Sequence, residues 1–364
     1  MQKGKNMKLE NLRIGLVVPV PPPYGGIANW SENLIASLKK RNIKYFIVNT
    51  APKKRTTEGR TLFDRVVRSG IAMFNEKKEL RDLILKKKIN VIHMTTSGEL
   101  AIIRDIFLMR CARKYSIPVI YHVHYGKVPE IIVQNGVQCI LLKLALKLAN
   151  TVIAIDMKTY SAIQEFDDRI NIEYVPNSIN PNEMPMYNEN PAKEVTFLGW
   201  CIKTKGIEEL ILAWDSLEQD ANWKLNLVGP YNKEYINDIL AKTRKKNIFV
   251  VGELEHKEAM ELLNNAAIFV LPSYTEGFPM SILEAMILGK AIVATDVGAV
   301  KEMLDDECGA VIQKKNIEQL ASALNEYMIN ERLRKEIGTR ARKRVLDKYT
   351  ENVVFEQYLK CWMK

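Results

Sequence analysis

The sequence predicts an α/β protein built from two Rossmann-like domains. Short apolar runs typical of buried parallel strands alternate with helical segments along most of the chain, as in doubly wound sheets. A length of 364 residues exceeds what a single ordinary hydrophobic core supports. A segment rich in Pro and Asn, 171–190, interrupts the alternation near the middle. We therefore predict domains over 1–178 and 193–348, a linker over 179–192 and a terminal helix over 349–364.

The first domain opens with a strand, a glycine turn and a helix. The branched apolar run Leu12–Val18 leads through a proline-rich loop to Gly25 and Gly26, and a helix is expected from about Ile27. Small residues at such a turn let a ligand approach the backbone, although the Gly-x-Gly-x-x-Gly fingerprint is absent. A plain strand-to-helix turn is the alternative. Further strands are expected at 43–48, 89–94, 118–123 and 151–155.

The second domain repeats this pattern. Its first strand leads into a loop that carries Lys203 and Lys205, and a helix is expected to begin near Ile207. A lysine on such a loop can neutralise a diphosphate. The strands expected here are 194–198, 223–228, 247–251 and 267–271.

The stretch Glu276 to Glu284 reads Glu-Gly-Phe-Pro-Met-Ser-Ile-Leu-Glu and follows the last of these strands. A helix is expected to start near its proline, so the N–H groups of Met280 and Ser281 would lack partners within the helix. Such a helix N-terminus is suited to phosphate. Because the carboxylates of Glu276 and Glu284 flank this helix start, the stretch predicts a binding site for a sugar nucleotide.

Histidines also lie at predicted strand ends. His122 and His124 share one face of their strand, and His124 is nearer the carboxyl end, where open α/β sheets bind ligands. We expect His124 to be functional, and His122 either to be buried or to support a residue that contacts the ligand. His256, at a helix start, is expected at the surface.

Several of these stretches together resemble the retaining glycosyltransferases of family 4. The spacing of Glu276 and Glu284 matches the Glu-x7-Glu signature of that family. Phe197–Gly199 with Lys205 is similar to its donor-phosphate loop, and Val175–Ile179 is similar to its interdomain hinge. The resemblance extends over nearly the whole chain. It implies the GT-B fold, in which two Rossmann-like domains face each other across a cleft and the terminal helix crosses back to the first domain.

The resemblance also implies roles for particular residues. The first domain would bind the acceptor and the second the nucleotide-sugar. The residues implied in catalysis are His124, Glu276 and Lys205; those implied in donor binding are Gly25, Gly26, Lys203, Leu254, Gly277, Phe278, Met280, Ser281 and Glu284; Tyr24 and His93 are expected on the acceptor side.

One position departs from the family pattern. Trp200 stands where family members usually carry Arg, whereas Lys205 matches the expected lysine. This removes one positive charge from the expected phosphate site, and Lys203 is the candidate to replace it.

The implied reaction moves a hexosyl unit from a nucleotide-diphosphate sugar to an acceptor hydroxyl with retention, by attack on the face that the phosphate leaves. No Asp-x-Asp motif lies at a strand end, and lysines with a helix dipole can replace a divalent ion, so neither a metal nor a cofactor is expected. A nucleotide-sugar epimerase on the same fold and a non-catalytic binding protein remain as alternatives.

The net charge of +10 is concentrated in one segment. Residues 36–90 contain 16 Lys and Arg against 5 Asp and Glu. Within that segment, apolar residues of 61–74 fall at helical spacing between arginines, which predicts a basic amphipathic helix suited to an anionic membrane surface or to packing on the sheet. Nucleic acid is not expected, because aromatic residues are not interleaved with the basic ones.

We accordingly expect a lipid-linked oligosaccharide acceptor, as in assembly of bacterial surface polysaccharide, with a soluble acceptor as the alternative. The five cysteines are scattered and suggest neither a disulfide framework nor a zinc site. The N-terminal segment lacks the pattern of a signal peptide. These features predict a cytoplasmic protein, peripheral on the inner face of the cell membrane.

Overall fold

A computed structural model describes residues 9–22, 25–51, 62–218, 222–244 and 247–364, and for 62–69 it describes the backbone. The chain divides into two compact units. The first unit comprises Met1–Pro176 and Phe355–Lys364, and the second comprises Asn177–Val354.

The first unit contains a six-stranded parallel sheet with the strand order β2-β1-β3-β4-β5-β6. Each parallel pair needs a crossover, and helices supply it. The strands are β1 (Arg13–Val18), β2 (Lys44–Asn49), β3 (Val91–Thr96), β4 (Val119–Val123), β5 (Thr151–Ala154) and β6 (Ile172–Tyr174), and the helices are α1 (Gly26–Lys40), α2 (Leu62–Leu85), α3 (Ala101–Lys114), α4 (Val128–Gln134), α5 (Val137–Leu148) and α6 (Met157–Phe166).

The central strands of this unit are buried along their whole length. Every residue of β3, β4 and β5 is buried, as expected for a parallel sheet covered on both faces. The helix predicted at 61–74 continues to Leu85, because Leu80 and Ile84 carry its apolar stripe into the core. The basic residues 53–55 lie outside the described part of the chain.

The second unit contains another six-stranded parallel sheet, with the order β12-β11-β10-β7-β8-β9. The chain therefore runs outward in one direction from β7 and in the other from β10. The strands are β7 (Ala192–Leu198), β8 (Lys224–Val228), β9 (Ile248–Gly252), β10 (Ala266–Leu271), β11 (Ala291–Thr295) and β12 (Ala310–Ile312), and the helices are α7 (Ile207–Ser216), α8 (Lys233–Leu240), α9 (His256–Asn265), α10 (Met280–Ile287), α11 (Val300–Met303), α12 (Ile317–Ile329), α13 (Glu331–Lys348) and α14 (Glu351–Trp362).

Residues 179–192, the predicted linker, lie within the second unit. Ile179 is buried and its N–H donates to the carbonyl of Tyr349 at 2.9 Å. The N–H of Asn188 donates to the side chain of Asn264 at 3.2 Å. The contacts of this segment are therefore those of an ordered part of the unit.

The last helix, α14, begins in the second unit and ends in the first. Its residues Phe355, Tyr358 and Trp362 are buried in the first unit. The predicted fold class, two Rossmann-like units with a terminal helix that returns to the first, is confirmed.

Among the described helices, no single one is long and apolar enough to cross a membrane. Helices α4 and α5, bent by 119° at the break between them, pass the same test of length and composition only as a pair.

Candidate functional site

The second sheet has its topological switch point between β7 and β10. These strands are hydrogen-bonded neighbours, but the chain leaves them in opposite directions across the sheet. In open α/β sheets, ligands bind at the carboxyl ends of the strands beside such a point. The loop after β7 carries Lys205, and the loop after β10 carries Glu276. The two loops that the sequence singled out therefore emerge side by side.

A close backbone approach holds the two loops together. The N–H of Tyr274 donates to the carbonyl of Thr204 at 2.9 Å. Gly206 adopts a left-handed conformation with φ 73°, and a Cβ there would lie 2.1 Å from the carbonyl oxygen of Pro272. Only glycine fits this position, because any side chain would push the lysine loop away from the loop after β10.

Lys205 and Glu276 form an ion pair at this point. The Lys205 Nζ lies 2.6 Å from Glu276 Oε1, and the two side chains are 26% and 13% exposed. Water reaches the pair only in part, so its charges are less screened than those of a surface pair. One positive and one negative group therefore lie together at the carboxyl ends of β7 and β10.

The loop after β11 supports Glu276 from the other side. The N–H of Ala299 donates to the carbonyl of Gly277 at 2.8 Å. Gly298 has φ 53°, and a Cβ on it would lie 2.2 Å from the Gly277 carbonyl oxygen and 2.5 Å from that of Glu276. The position of the carboxylate is thus set by a packed backbone.

Helix α10 begins directly after this loop. Phe278 is buried, its carbonyl accepts a hydrogen bond from Asn177 at 3.2 Å, and its ring lies 5.6 Å from that of Tyr349. These contacts fix the first turn, where Met280 and Ser281 are half-buried. The N–H groups of a first turn have no partners within the helix, and the helix dipole is positive there. The site therefore has a second feature suited to an anion.

Glu284 projects from the second turn of α10 and pairs with a histidine. Its Oε1 lies 3.0 Å from His256 Nε2 at the start of α9, and the side chains are 12% and 59% exposed respectively. This hydrogen bond raises the pKa of His256 above its ordinary value, against the opposing effect of desolvation. His256 is exposed, as predicted, but the sequence analysis missed its partner. The available signal was its place just after β9, at the same edge of the sheet.

Two other predicted donor residues lie outside this group. Lys203 is exposed, and its Nζ is 3.5 Å from Glu208. Leu254 is half-buried in the loop between β9 and α9, two residues before His256. Trp200, at the position usually held by Arg, is 53% exposed.

In the first unit, Gly25 and Gly26 stand at the start of α1, and His124 follows β4. The ring of Trp30 lies 4.6 Å from that of His124. His122 is fully buried, as expected. Contrary to the expectation of an acceptor-side lining residue, His93 is fully buried and both its ring nitrogens are hydrogen-bonded to protein side chains. Tyr24 lies outside the described residues.

Among the residues that the structure describes, no group of three or more His, Cys, Asp or Glu side chains could hold a metal ion. The five cysteines are buried and unpaired.

Most of the second unit matches a known protein family. Residues 183–344 match the family model of the glycosyl transferases group 1, so the second unit carries a domain of that kind. A crystal structure of Alr3699/HepE from Anabaena in complex with UDP-glucose superposes with a TM-score of 0.73 at 15% identity, covering 96% of this chain and 99% of that one. At this identity the likeness shows a shared fold, the GT-B fold.

Two relatives are glycosyltransferases by name. The chain is 28% identical over 168 residues to the capsular polysaccharide biosynthesis glycosyltransferase CapM of Staphylococcus aureus. It is 30% identical over 240 residues to N,N'-diacetylbacillosaminyl-diphospho-undecaprenol alpha-1,3-N-acetylgalactosaminyltransferase of Campylobacter jejuni. The matched regions span 45% and 61% of this chain, and 44% and 62% of those relatives.

Proposed function

We propose that this protein is a retaining glycosyltransferase that moves a hexosyl unit from a nucleotide-diphosphate sugar to an acceptor hydroxyl. The observation that carries the proposal is the meeting of Lys205 and Glu276, 2.6 Å apart, at the switch point of a sheet within a glycosyl transferases group 1 domain. The UDP-glucose complex of a protein with the same fold supports a nucleotide-sugar as the donor.

In this proposal the charged groups of the site have different roles. Lys205 and the first-turn N–H groups at Met280 and Ser281 stabilise negative charge on the departing diphosphate. Glu276 binds and orients hydroxyls of the donor sugar, and Glu284 accepts hydroxyls of the ribose. Because Lys205 already pairs with Glu276, the donor phosphate would exchange one anionic partner of Lys205 for another. The lysine would then need little reorientation.

The proposed reaction is a substitution at the anomeric carbon. The acceptor oxygen forms a bond to that carbon on the face from which the phosphate oxygen departs, and the anomeric C–O bond to the diphosphate breaks. The acceptor proton passes to the departing phosphate oxygen. Charge on the leaving group is met by Lys205 and a helix N-terminus, so we propose that turnover needs no divalent cation.

We further propose that the acceptor is a lipid-linked oligosaccharide of bacterial surface polysaccharide and that the protein works on the inner face of the cell membrane. The acceptor named for the Campylobacter jejuni relative, a diphospho-undecaprenol, supports this. So do exposed apolar side chains in the first unit. Val133 and Val137, at the turn between α4 and α5, are 84% and 74% exposed, and Lys127, Lys143 and Lys147 lie along the same segment.

A donor panel tests the first part of this proposal. Binding of UDP-, GDP-, ADP- and dTDP-sugars would be measured by calorimetry with EDTA present, for the wild type and Glu276→Gln. We expect one nucleotide class to bind without metal, with the variant losing affinity for the sugar-nucleotide more than for the free nucleoside diphosphate. If no nucleotide-sugar bound, or if a donor were converted to its isomer without an acceptor, the transferase assignment would fail. A requirement for Mn²⁺ would overturn metal independence alone.

A further inference from the structure

The first unit contains a buried chain of hydrogen bonds that ends at a histidine. The Trp362 Nε1 on α14 lies 2.9 Å from Nδ1 of His93 on β3. The Nε2 of His93 lies 3.1 Å from Nδ1 of His122 on β4. All three side chains are no more than 1% exposed. These hydrogen bonds link the last turn of the terminal helix to His122, near the carboxyl end of β4.

The direction of these bonds follows from the chemistry of the first donor. An indole N–H can only donate, so Nδ1 of His93 must accept. A neutral imidazole that accepts through Nδ1 carries its proton on Nε2, so His93 donates to Nδ1 of His122. By the same rule the proton of His122 is on Nε2. One indole N–H thereby sets the tautomers of two histidines.

Burial keeps His93 and His122 neutral, and the hydrogen bonds described above require neutral rings. Desolvation lowers the pKa of His93 to about 3, and desolvation together with His124 and His93 holds the pKa of His122 well below its ordinary range. Each imidazole therefore carries a single ring proton at neutral pH. If His93 were charged, both ring nitrogens would be donors and the bond from Trp362 would be lost.

The last donor in this chain of hydrogen bonds is the Nε2–H of His122. Among the described residues, Nε2 of His122 has no hydrogen-bond partner although it is buried, and the same holds for Nε2 of His124. The two rings lie 4.0 Å apart, centroid to centroid, near the carboxyl end of β4. An unmatched buried N–H is destabilising, so its persistence points to a ligand oxygen.

We propose that Trp362 is a positioning residue that, through His93, fixes the Nε2–H tautomer of His122 so that this N–H donates to a hydroxyl or phosphate oxygen of a bound ligand. The ligand part of this inference rests on the proposed function, whereas the tautomer part does not. Trp362 itself touches no ligand in this arrangement; its indole N–H orders the two imidazoles that lie between it and the sheet edge.

The tautomers can be read directly by NMR. The protein has four histidines, so a sample labelled with ¹⁵N-histidine gives at most four imidazole patterns in two-bond ¹H–¹⁵N spectra, which distinguish Nε2–H, Nδ1–H and charged rings. Single substitutions to Gln assign them. We expect His93 and His122 to show the neutral Nε2–H pattern from pH 5.5 to 8. An Nδ1–H or charged pattern for either ring would overturn the proposal without any need for a variant.

Matched variants test the role of the indole N–H. Trp362→Phe keeps an aromatic ring but removes the donor to His93, so His93 and His122 should acquire Nδ1–H population. Trp30→Phe is the control, because its ring packs at 5.5 Å from His93 and 4.9 Å from His122 while its N–H donates to Tyr358 at 3.1 Å. Tautomer patterns unchanged by Trp362→Phe, or changed equally by Trp30→Phe, would contradict the proposal.

The rate of turnover then tests whether the Nε2–H of His122 donates to a ligand. We expect Trp362→Phe to lower kcat for transfer from the best nucleotide-sugar by roughly tenfold, which corresponds to about 1.4 kcal/mol. If the tautomers change and kcat does not, the ligand contact is wrong. If the wild type transfers no sugar at all, the proposed function fails, while the NMR result for the tautomers stands independently.

Discussion

At the scale of single residues, the candidate site depends on how Lys205 is partnered. Its ammonium group lies 2.6 Å from Glu276 and is only partly exposed. The same group is proposed to meet the diphosphate, so the carboxylate holds the lysine in place before the donor arrives. A substitution of Lys205 should therefore affect the chemical step rather than the stability of the fold.

Lys205→Met is expected to lower kcat for sugar transfer by roughly 100-fold to 1,000-fold, the effect of removing one group that stabilises a developing anion. Lys224→Met is the matched control, since Lys224 begins β8 at the opposite edge of the same sheet. Steady-state rates with a saturating donor give the comparison. Equal rates for the two variants would mean that Lys205 does not act on the leaving group.

The second carboxylate, Glu284, predicts a pH effect. Its hydrogen bond raises the pKa of His256, so this pairing stabilises the charged imidazole below that pKa and loses strength as the pH rises through it. An NMR titration should therefore give His256 a pKa above the ordinary value of about 6.5. Glu284→Gln should lower that pKa. A pKa unchanged by the substitution would show that the two side chains do not pair in solution.

These residues differ in how far the sequence could reveal them. The alternation of strands and helices predicts the loops that carry Lys205 and Glu276 and the helix that carries Glu284, whereas the roles expected of these residues come from the resemblance to a family. His256 could not be recognised as a partner, because its contact with Glu284 joins two helices that are adjacent only in the folded unit. The bond between His93 and Trp362 spans 269 positions, and no local pattern encodes it.

At the scale of elements, the site rests on three strand-to-helix loops packed backbone against backbone. The loop after β11 touches the loop that carries Glu276 at a distance that leaves no room for a side chain on Gly298. The alternation of strands and helices predicted these elements well, because buried parallel strands are continuous apolar runs. Among the strands of the second unit it missed β11 and β12. In β12, three residues at a half-buried edge leave no periodicity to detect.

Gly298→Ala is expected to introduce both strain at a positive φ and a clash with the Glu276 loop. We expect a loss of about 2 kcal/mol, or a fall of about 4–8 °C in the thermal midpoint of the second unit, together with a loss of sugar transfer. Gly136→Ala is the control, since Gly136 has a negative φ of −90° and no atom within 4 Å of an added Cβ. Scanning calorimetry and turnover measure the two effects, and equal midpoints for the variants would refute the packing argument.

At the scale of the whole molecule, the chain contains two parallel sheets of six strands and a terminal helix that returns to the first unit. Candidate functional side chains lie near strand ends in each unit, His122 and His124 in the first and Lys205 and Glu276 in the second. The exposed apolar residues Val133 and Val137 belong to neither group of side chains. They are the part of the surface that the proposed membrane location best explains.

Val133→Glu combined with Val137→Glu should weaken binding to vesicles that contain anionic lipid by roughly tenfold, because two apolar side chains no longer enter the interface and two negative charges are added. Ile329→Glu is the matched control. Ile329 is 77% exposed at the end of α12 in the second unit. Sedimentation with phosphatidylglycerol vesicles measures the binding. The location proposed here would be wrong if the double variant sedimented with the vesicles like the wild type.

The central claim, transfer of a sugar from a nucleotide donor to a lipid-linked acceptor, is tested most directly by one assay. Radiolabelled nucleotide-sugar would be incubated with and without a polyprenyl-diphosphate-sugar, using the wild type and Glu276→Gln, and the anomeric configuration of the product would be read by ¹H NMR. We predict label in the lipid fraction only when both substrates and the wild type are present, with the configuration of the donor retained. Inversion, or conversion of the donor in the absence of acceptor, would contradict the proposed mechanism and reaction respectively.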